Sequence, residues 1–350
     1  MNRYTGSGRS VGVYGQDVLT AGPIAETGSE SEIAPHKDEE LAERRILFMG
    51  LPRSGKTSIL KVIFEGEMAY DTLSLMPTQQ RSEHRLITGI SVYDFPGIDE
   101  FSDMQYSMLN PSIYAGEHTS LVFVMDSQSD LQSSLSTLLS VVRTAQSANF
   151  QLPINIFINK VDGLSEELKQ DIQNDIQQRI LKNMAYENLN INNVHVFLTT
   201  IFDQSIREAL SRVLQYLVPK HSSLETILNS FCSKSSLDKV FLFDMNTKMY
   251  LATDSSPTYS LQYMFACQTI DVMEELTAIC PGLIPAADDE DSLLQRINVG
   301  LDGNDEMFIY QVDGYLTLLC IGPPEIIRQT SLLEFNGSKV AKAIRQILSV

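Results

Sequence analysis

The sequence has few cysteines, no long apolar run and no excess of basic residues, and each absence excludes a class of protein. The four cysteines, Cys232, Cys267, Cys280 and Cys320, lie far apart and form no C-x-x-C pair. Because the five histidines do not cluster with them, we expect reduced thiols and no zinc site. No apolar stretch approaches the roughly 20 residues that a membrane span requires, so we expect no direct membrane insertion.

The charge balance excludes another set of partners. Acidic residues outnumber basic ones by 44 to 26, which gives a formal net charge of -18 and a pI of about 4.6. Nucleic acid and anionic lipid are therefore not expected as direct partners. The 43% hydrophobic content suffices for packed cores, and 350 residues predict about two domains. Residues 1–43, rich in Gly, Ser and Glu, are predicted to form a disordered acidic tail.

A phosphate-binding loop is predicted at residues 50–59, GLPRSGKTSI, directly after the apolar run ILFM. The spacing G-x-x-x-x-G-K-[ST] lets two glycines turn the backbone so that its N–H groups point at phosphate oxygens. Lys56 adds a cation for the β- and γ-phosphates, and Thr57 offers a hydroxyl to Mg²⁺. A helix over residues 58–64 directs its positive N-terminus at the same anion. The predicted nucleotide contacts here are Gly50, Arg53, Ser54, Gly55, Lys56, Thr57 and Ser58.

The identity of the base is predicted from NKVD, residues 159–162, which follows the apolar run LPINIFI. The Asp162 carboxylate can accept hydrogen bonds from guanine N1–H and the 2-amino group, a pair that adenine does not offer. Asn159 would brace the loop, and the stem of Lys160 would cover one face of the base. Thr200 and Ile201, after the strand VHVFL, lie where a last base-contacting loop belongs. Together with the phosphate loop, the pattern predicts a guanine site.

A third motif, DFPG at residues 94–97, follows the alternating run ISVY. A D-x-x-G at a strand end places the Asp94 carboxylate near Mg²⁺ and the Gly97 N–H near the γ-phosphate. Thr78 is the predicted switch threonine that reaches Mg²⁺ when GTP is bound, with Thr72 as the competing assignment. The predicted metal-binding residues are therefore Thr57, Thr78 and Asp94.

The predicted fold class is α/β over residues 44–220, a mostly parallel sheet with helices on both faces, because strands and helices alternate there. Ser165 is predicted to cap a helix whose buried face carries Leu168, Ile172, Ile176 and Ile180. After a break at PKHSS, residues 221–350 predict an α+β domain. Its predicted helices are 224–232, 259–280 and 339–348, and its predicted strands are 240–243, 248–252, 293–299, 307–312 and 315–321.

The motifs resemble those of Rag-type GTPases, specifically the RagC/RagD class and its fungal counterpart. The stretches that carry the resemblance are RILFMGLPRSGKTSI, VYDFPG, NKVDGLSEE and, in the second domain, FLFDMNTKMYLATDSSP. The RagA/RagB class typically has Cys-Gly-Gly in the third motif, so DFPG favours the RagC/RagD side. The resemblance implies a Ras-like P-loop GTPase domain that binds GTP or GDP with Mg²⁺. It also implies a second domain of the roadblock/longin-like type that serves dimerisation.

The same resemblance implies a set of partners and a location. It implies a heterodimer with a RagA/RagB-type GTPase, joined mainly through the roadblock-type domains. The cytoplasmic pair would be recruited peripherally to the lysosomal or vacuolar membrane by a lipidated scaffold complex. There it would relay amino-acid sufficiency to TOR complex 1, under the control of a GTPase-activating protein.

Two residues depart from the family pattern. Pro52 and its neighbour Arg53 occupy the middle of the phosphate loop, where small residues are usual, and proline removes an N–H donor. Ile98 follows Gly97 where a glutamine usually orients the attacking water, so we expect slow hydrolysis, with Lys56, Thr78, Gly97 and Ile98 forming the catalytic surroundings. A nucleotide-binding structural subunit with negligible hydrolysis is the alternative. A metabolic P-loop kinase is disfavoured, because NKVD has no role there.

Overall fold

The computed structural model describes residues 43–86, 88–98, 110–279, 298–300 and 305–348. The predicted tail, except for its last residue, lies outside these ranges, as do Cys280 and residues 293–297 of one predicted strand. Within the described ranges, no helix combines the length and apolar composition needed to cross a membrane.

Six described strands form the first sheet, in the order β2-β3-β1-β4-β5-β6. The neighbours from β3 to β6 run parallel, whereas the edge strand β2 is antiparallel to β3. The mixed α/β fold with a parallel sheet is thereby confirmed. The strands are β1 Arg44–Gly50, β2 Ser82–Arg85, β3 Ile90–Asp94, β4 Thr119–Asp126, β5 Ile154–Asn159 and β6 Val194–Thr199. The helices are α1 Lys56–Leu60, which continues as a π-helical turn over Lys61–Glu65, α2 Leu131–Ala148, α3 Glu166–Tyr186 and α4 Ser205–Gln215.

Local sequence explains how these helices begin. The side chain of Asp130 caps α2 by accepting hydrogen bonds from two backbone N–H groups, and Ser165 caps α3 as predicted. The predicted buried face of α3 is correct at Ile176 and Ile180. It is wrong at Leu168, which is 44% exposed, because the first turn lies beyond the hydrophobic cluster that the rest of the helix contacts.

The second sheet has the order β8-β7-β11-β10-β9 and is antiparallel throughout. The predicted sequence of elements is found, with two differences: the last helix begins at Thr330 rather than Lys339, and a short helix precedes it. The strands are β7 Lys239–Asp244, β8 Met249–Thr253, β9 Asn298–Gly300, β10 Glu306–Gln311 and β11 Leu316–Gly322. The helices are α5 His221–Lys234, α6 Ser260–Ile279, α7 Pro324–Ile327 and α8 Thr330–Leu348.

One hydrophobic cluster joins the two sheets. It runs from Phe48 in β1 through Leu210 in α4 and Phe231 in α5 to Leu242 in β7. A buried polar contact reinforces this junction, since the N–H of Tyr250 donates to Ser211 Oγ at 3.0 Å. The predicted division at residues 220 and 221 separates the two sheets in sequence and stays a prediction, but the packing across it is continuous.

The shared cluster generates a prediction for stability. Phe231 is fully buried in it, so Phe231→Ala should lower the free energy of unfolding by about 3–5 kcal/mol. Phe150 is 58% exposed, and Phe150→Ala is the matched control, expected to change stability by less than about 0.5 kcal/mol. Urea denaturation of both variants measures the difference. Equal, small losses would contradict the shared core.

Candidate functional site

The phosphate loop has the backbone that its glycines were predicted to provide. Gly50 has a φ of 144° and Gly55 a φ of 101°, both positive. A Cβ on Gly50 would lie 2.3 Å from the carbonyl oxygen of Val124, and one on Gly55 would lie 2.4 Å from Asn159 Nδ2. Neighbouring chain therefore fills the space that any larger side chain would need. Both positions require glycine for the conformation and for the close approach.

Lys56 points its cation into the turn of this loop. Its Nζ donates to the backbone oxygens of Gly50 at 3.1 Å and Leu51 at 3.0 Å. Burial lowers the pKa of Lys56 to about 8, and the nearby Asp94 carboxylate acts in the opposite direction. A buried cation with a lowered pKa is stabilised by an added anion. The loop therefore favours a negatively charged ligand.

Three oxygen-bearing side chains meet beside the loop. Thr57 Oγ1 donates to Asp94 Oδ2 at 2.6 Å and lies 2.5 Å from Thr78 Oγ1. Since Thr57 has one proton to give, Thr78 is the donor in the second contact. Thr72 instead donates to the backbone oxygen of Ala69 at 2.8 Å, within its own turn. The geometry therefore brings together Thr57, Thr78 and Asp94, and leaves Thr72 outside.

This group of oxygens fits a divalent cation. Asp94 Oδ1 is buried, and no hydrogen-bond partner is found for it in the described part of the chain. Burial raises the pKa of Asp94, and the hydrogen bond from Thr57 counteracts this shift. A buried carboxylate oxygen without a donor is costly unless a cation is nearby. Hydroxyl and carboxylate oxygens are the ligands that Mg²⁺ prefers, so Thr57, Thr78 and Asp94 fit the predicted metal site.

The NKVD loop is fastened to the phosphate loop. Asn159 Nδ2 donates to the backbone oxygen of Ser54 at 3.0 Å. Lys160 Nζ donates to the backbone oxygen of Arg53 at 2.8 Å and forms an ion pair with Asp126 Oδ2 at 2.7 Å. Asn159 thus braces the loop, as predicted, by contacting the other motif directly. The Lys160 stem spans the gap between the two loops.

The loop after β6 lies beside Asp162. Thr200 Oγ1 donates to Asp162 Oδ1 at 2.8 Å, and the Thr200 N–H donates to Ser205 Oγ at 3.0 Å. The Asp162 carboxylate is thereby held in place with its other oxygen available to a ligand. Ile201 packs its side chain against the core cluster, so only its backbone can contact a base.

Sequence reasoning missed two features of this region. Asp126, which pairs with Lys160, ends β4 in register with Asn159, so its place at a neighbouring strand end was an available signal. Tyr70 and Phe202 form an aromatic pair with ring centroids 5.2 Å apart, and they are 76% and 40% exposed. They lie on loops far apart in sequence, and no local pattern connects them.

The residue directly after DFPG is Ile98. The prediction placed its side chain beside the attacking water. In the structure the side chain is 5% exposed and belongs to a hydrophobic cluster of the first sheet. Its N–H donates to the backbone oxygen of Gly50 at 3.1 Å. A catalytic role for Ile98 stays a prediction.

Comparison with known proteins identifies the family. The profile of the Gtr1/RagA G protein conserved region matches residues 45–271. The GTP-binding protein gtr2 of Schizosaccharomyces pombe is 38% identical over 315 residues, which cover 87% of this chain and 98% of that protein. The chain belongs to the Rag-type GTPases, in the RagC/RagD class.

Other relatives agree with this class. The human Ras-related GTP-binding protein C is 35% identical over 316 residues, covering 87% of this Rag-type chain and 77% of that protein. The GTP-binding protein gtr1 of S. pombe is only 24% identical over 218 residues, covering 61% and 69%. The RagC/RagD assignment made from DFPG is thus confirmed. Among solved structures, Myxococcus xanthus MglB matches 37% of this chain and 90% of its own with a TM-score of 0.30 and 12% identity, which is too weak to support an argument.

Proposed function

We propose that this chain is a regulatory GTPase that binds GTP or GDP with Mg²⁺ and reports the bound nucleotide to partner proteins. The observation that carries the proposal is the convergence of three motifs from different strands. The loops after β1, β3 and β5 place the Lys56 cation, the Asp94 carboxylate and the Asn159 amide around one turn of backbone. Family membership supports the same activity.

Selection of guanine rests on Asp162. Its carboxylate would accept hydrogen bonds from guanine N1–H and the 2-amino group, and Thr200 holds it by donating to Oδ1. Adenine offers no such pair of donors at these positions. Phe202 lies on the loop after β6, where its N–H donates to Thr200 Oγ1, and its exposed ring pairs with that of Tyr70. There the two rings would contact a face or an edge of the base.

The phosphates would lie against the loop amides and Lys56. The chemistry that a bound Mg²⁺ would supply here is neutralisation of the phosphate charge. Thr57 and Thr78 would ligate the ion through their hydroxyl groups. The Asp94 carboxylate would hold the other ligands of the ion in place. Thr78 lies on the segment before β2, and we propose that its position responds to the γ-phosphate.

The guanine assignment is tested by Asp162→Asn. The amide replaces one acceptor by a donor, so affinity for GTP and GDP should fall by at least about tenfold, while relative affinity for xanthine nucleotides rises. Competition between labelled GDP and unlabelled guanine or xanthine nucleotides measures both. Glu167→Gln, on the exposed first turn of α3, is the matched charge control and should leave both affinities unchanged. Unaltered GTP binding in Asp162→Asn would exclude the assignment.

The second candidate, a structural subunit with negligible hydrolysis, is favoured by Ile98. An isoleucine has no group that aligns a water molecule, and here it is buried among apolar side chains. Slow hydrolysis assisted by an activating protein and no hydrolysis at all are both compatible with that residue. A regulatory GTPase should hydrolyse GTP faster when an activating protein is added, whereas a structural subunit should not respond.

Single-turnover GTP hydrolysis separates the two functions. We expect a low intrinsic rate, increased about 10³- to 10⁵-fold if an activator supplies an arginine to the transition state. The measurement is phosphate release from protein preloaded with labelled GTP, with and without a GTPase-activating protein for RagC-class subunits. A rate that stays at the background of spontaneous hydrolysis under both conditions would support the structural subunit instead.

For the second sheet and its helices we propose a roadblock-type dimerisation domain. Large apolar residues are exposed on α6 and directly before it. Tyr259, which precedes the helix, is 63% exposed, and within the helix Leu261 is 59%, Val272 54% and Ile279 74% exposed. Apolar side chains at this density are typical of an interface. The partner is a RagA/RagB-type GTPase. The pair is recruited from the cytoplasm to the lysosomal or vacuolar surface by a lipidated scaffold complex and relays amino-acid sufficiency to TOR complex 1.

Assembly is tested by co-expression with a RagA-type GTPase. Wild-type protein should form a one-to-one complex, and deletion after Pro219 should abolish it. The double variant Leu261→Asp with Val272→Asp should weaken the complex, because two charges would be desolvated at the interface. Phe150→Asp is the matched control and should assemble normally, because Phe150 is exposed and lies just before β5 of the first sheet. Size-exclusion chromatography with light scattering reports the stoichiometry. Wild-type protein that stays monomeric in the presence of the RagA-type GTPase would count against dimerisation.

A further inference from the structure

Gly97 lies against the phosphate loop more closely than any other residue type could. A Cβ placed on it would lie 2.5 Å from Pro52 Cα, 2.6 Å from Pro52 N and 2.7 Å from Pro52 Cγ. Two of these atoms are backbone, which cannot move aside without moving the loop. The proline ring fixes its own φ, so the surface against which Gly97 packs is stiff.

The residue after Gly97 is held in place as well. Ile98 is 5% exposed and packs in the cluster that also contains Met49 and Tyr114. Its N–H donates to the backbone oxygen of Gly50 at 3.1 Å. That same oxygen accepts the Lys56 Nζ at 3.1 Å. The start of the DFPG segment and the phosphate-binding lysine therefore share one carbonyl of the loop.

Gly97 is thus held between two constraints. Pro52 limits how its Cα can move toward the loop, and Ile98 anchors the chain immediately after it. A glycine alone would have the most mobile backbone in the segment, but here the neighbouring residues restrict it. The backbone of Gly97 is therefore constrained both by Pro52 and by the anchored Ile98.

We propose that Pro52 and Ile98 are positioning residues that pre-align the Gly97 N–H for the γ-phosphate of GTP. The inference rests on the proposed nucleotide function and deepens it, since it concerns discrimination between GTP and GDP at the same site. Only GTP has a γ-phosphate for this N–H to meet. Loss of the pre-alignment weakens GTP binding and leaves GDP binding nearly unchanged, because the β-phosphate is held by the loop amides and Lys56.

The test measures the release of fluorescently labelled GDP and of a labelled non-hydrolysable GTP analogue from the full chain. In Pro52→Gly, release of the GTP analogue should accelerate about tenfold more than release of GDP, the size expected for one impaired hydrogen bond. Pro52→Ala, which keeps Cβ and loses the ring, should give a smaller difference. Ile98→Ala should act in the same direction as Pro52→Gly, and Ile98→Val, which keeps the buried β-branch, should restore the wild-type ratio.

Matched controls separate this effect from general loosening. Pro153→Ala replaces a proline before β5, away from the loop, and should leave the ratio of the two release rates unchanged. Hydrogen exchange at the Ile98 N–H of the GDP-bound protein should be faster in Pro52→Gly than in wild type. Equal acceleration of both nucleotides, or of neither, would overturn the proposal. Wild-type protein that binds neither nucleotide would instead contradict the proposed function.

Discussion

The site depends on one contact between two loops that are not neighbours in the sheet. Strand β4 separates β1 from β5, yet Asn159 Nδ2 reaches across it to donate to the Ser54 oxygen at 3.0 Å. The contact requires Gly55, because a Cβ there would lie 2.4 Å from that amide nitrogen. Thr199 in turn donates to Asn159 Oδ1 at 3.3 Å. The loop proposed to bind phosphate and the loop proposed to bind the base are therefore joined at one edge of the sheet.

The proposed site binds an anion although the whole chain is strongly acidic. A net charge of -18 repels a nucleotide at long range, although salt screens that repulsion beyond about 10 Å. Of the cations near the loop, Lys160 is already paired with Asp126, and Lys56 is buried with a lowered pKa. In the proposed site, affinity would come from backbone N–H groups aimed at the anion, from the charge that Lys56 regains beside phosphate and from the exposed side chain of Arg53. This is why the loop's conformation matters more than the number of basic residues.

The sequence predicted which motifs come together because they lie at strand ends, and parallel strands end at a common edge. Knowing that Gly55, Asp94 and Asp162 each follow an apolar run was enough to place them together. Contacts between loops without such a frame were not predictable: Tyr70 and Phe202 meet only through the tertiary fold. Prediction of the fold was limited in the same way, because contacts made only in the tertiary fold leave no local signal in the sequence. Periodicity located most elements, but it could not show that one hydrophobic cluster would join the two sheets.

Ile98 shows why a motif position does not determine what its side chain does. In sequence, Pro52 has no backbone N–H and Ile98 has no polar group in its side chain. In space both constrain Gly97: Pro52 occupies the space that a Cβ on Gly97 would need, and Ile98 anchors the next peptide to Gly50. Within DFPG and Ile98, Pro96 has no N–H, and the N–H groups of Phe95 and Ile98 donate to the backbone oxygens of Phe48 and Gly50. A glycine between two such constrained neighbours has less backbone freedom than its residue type alone would give it.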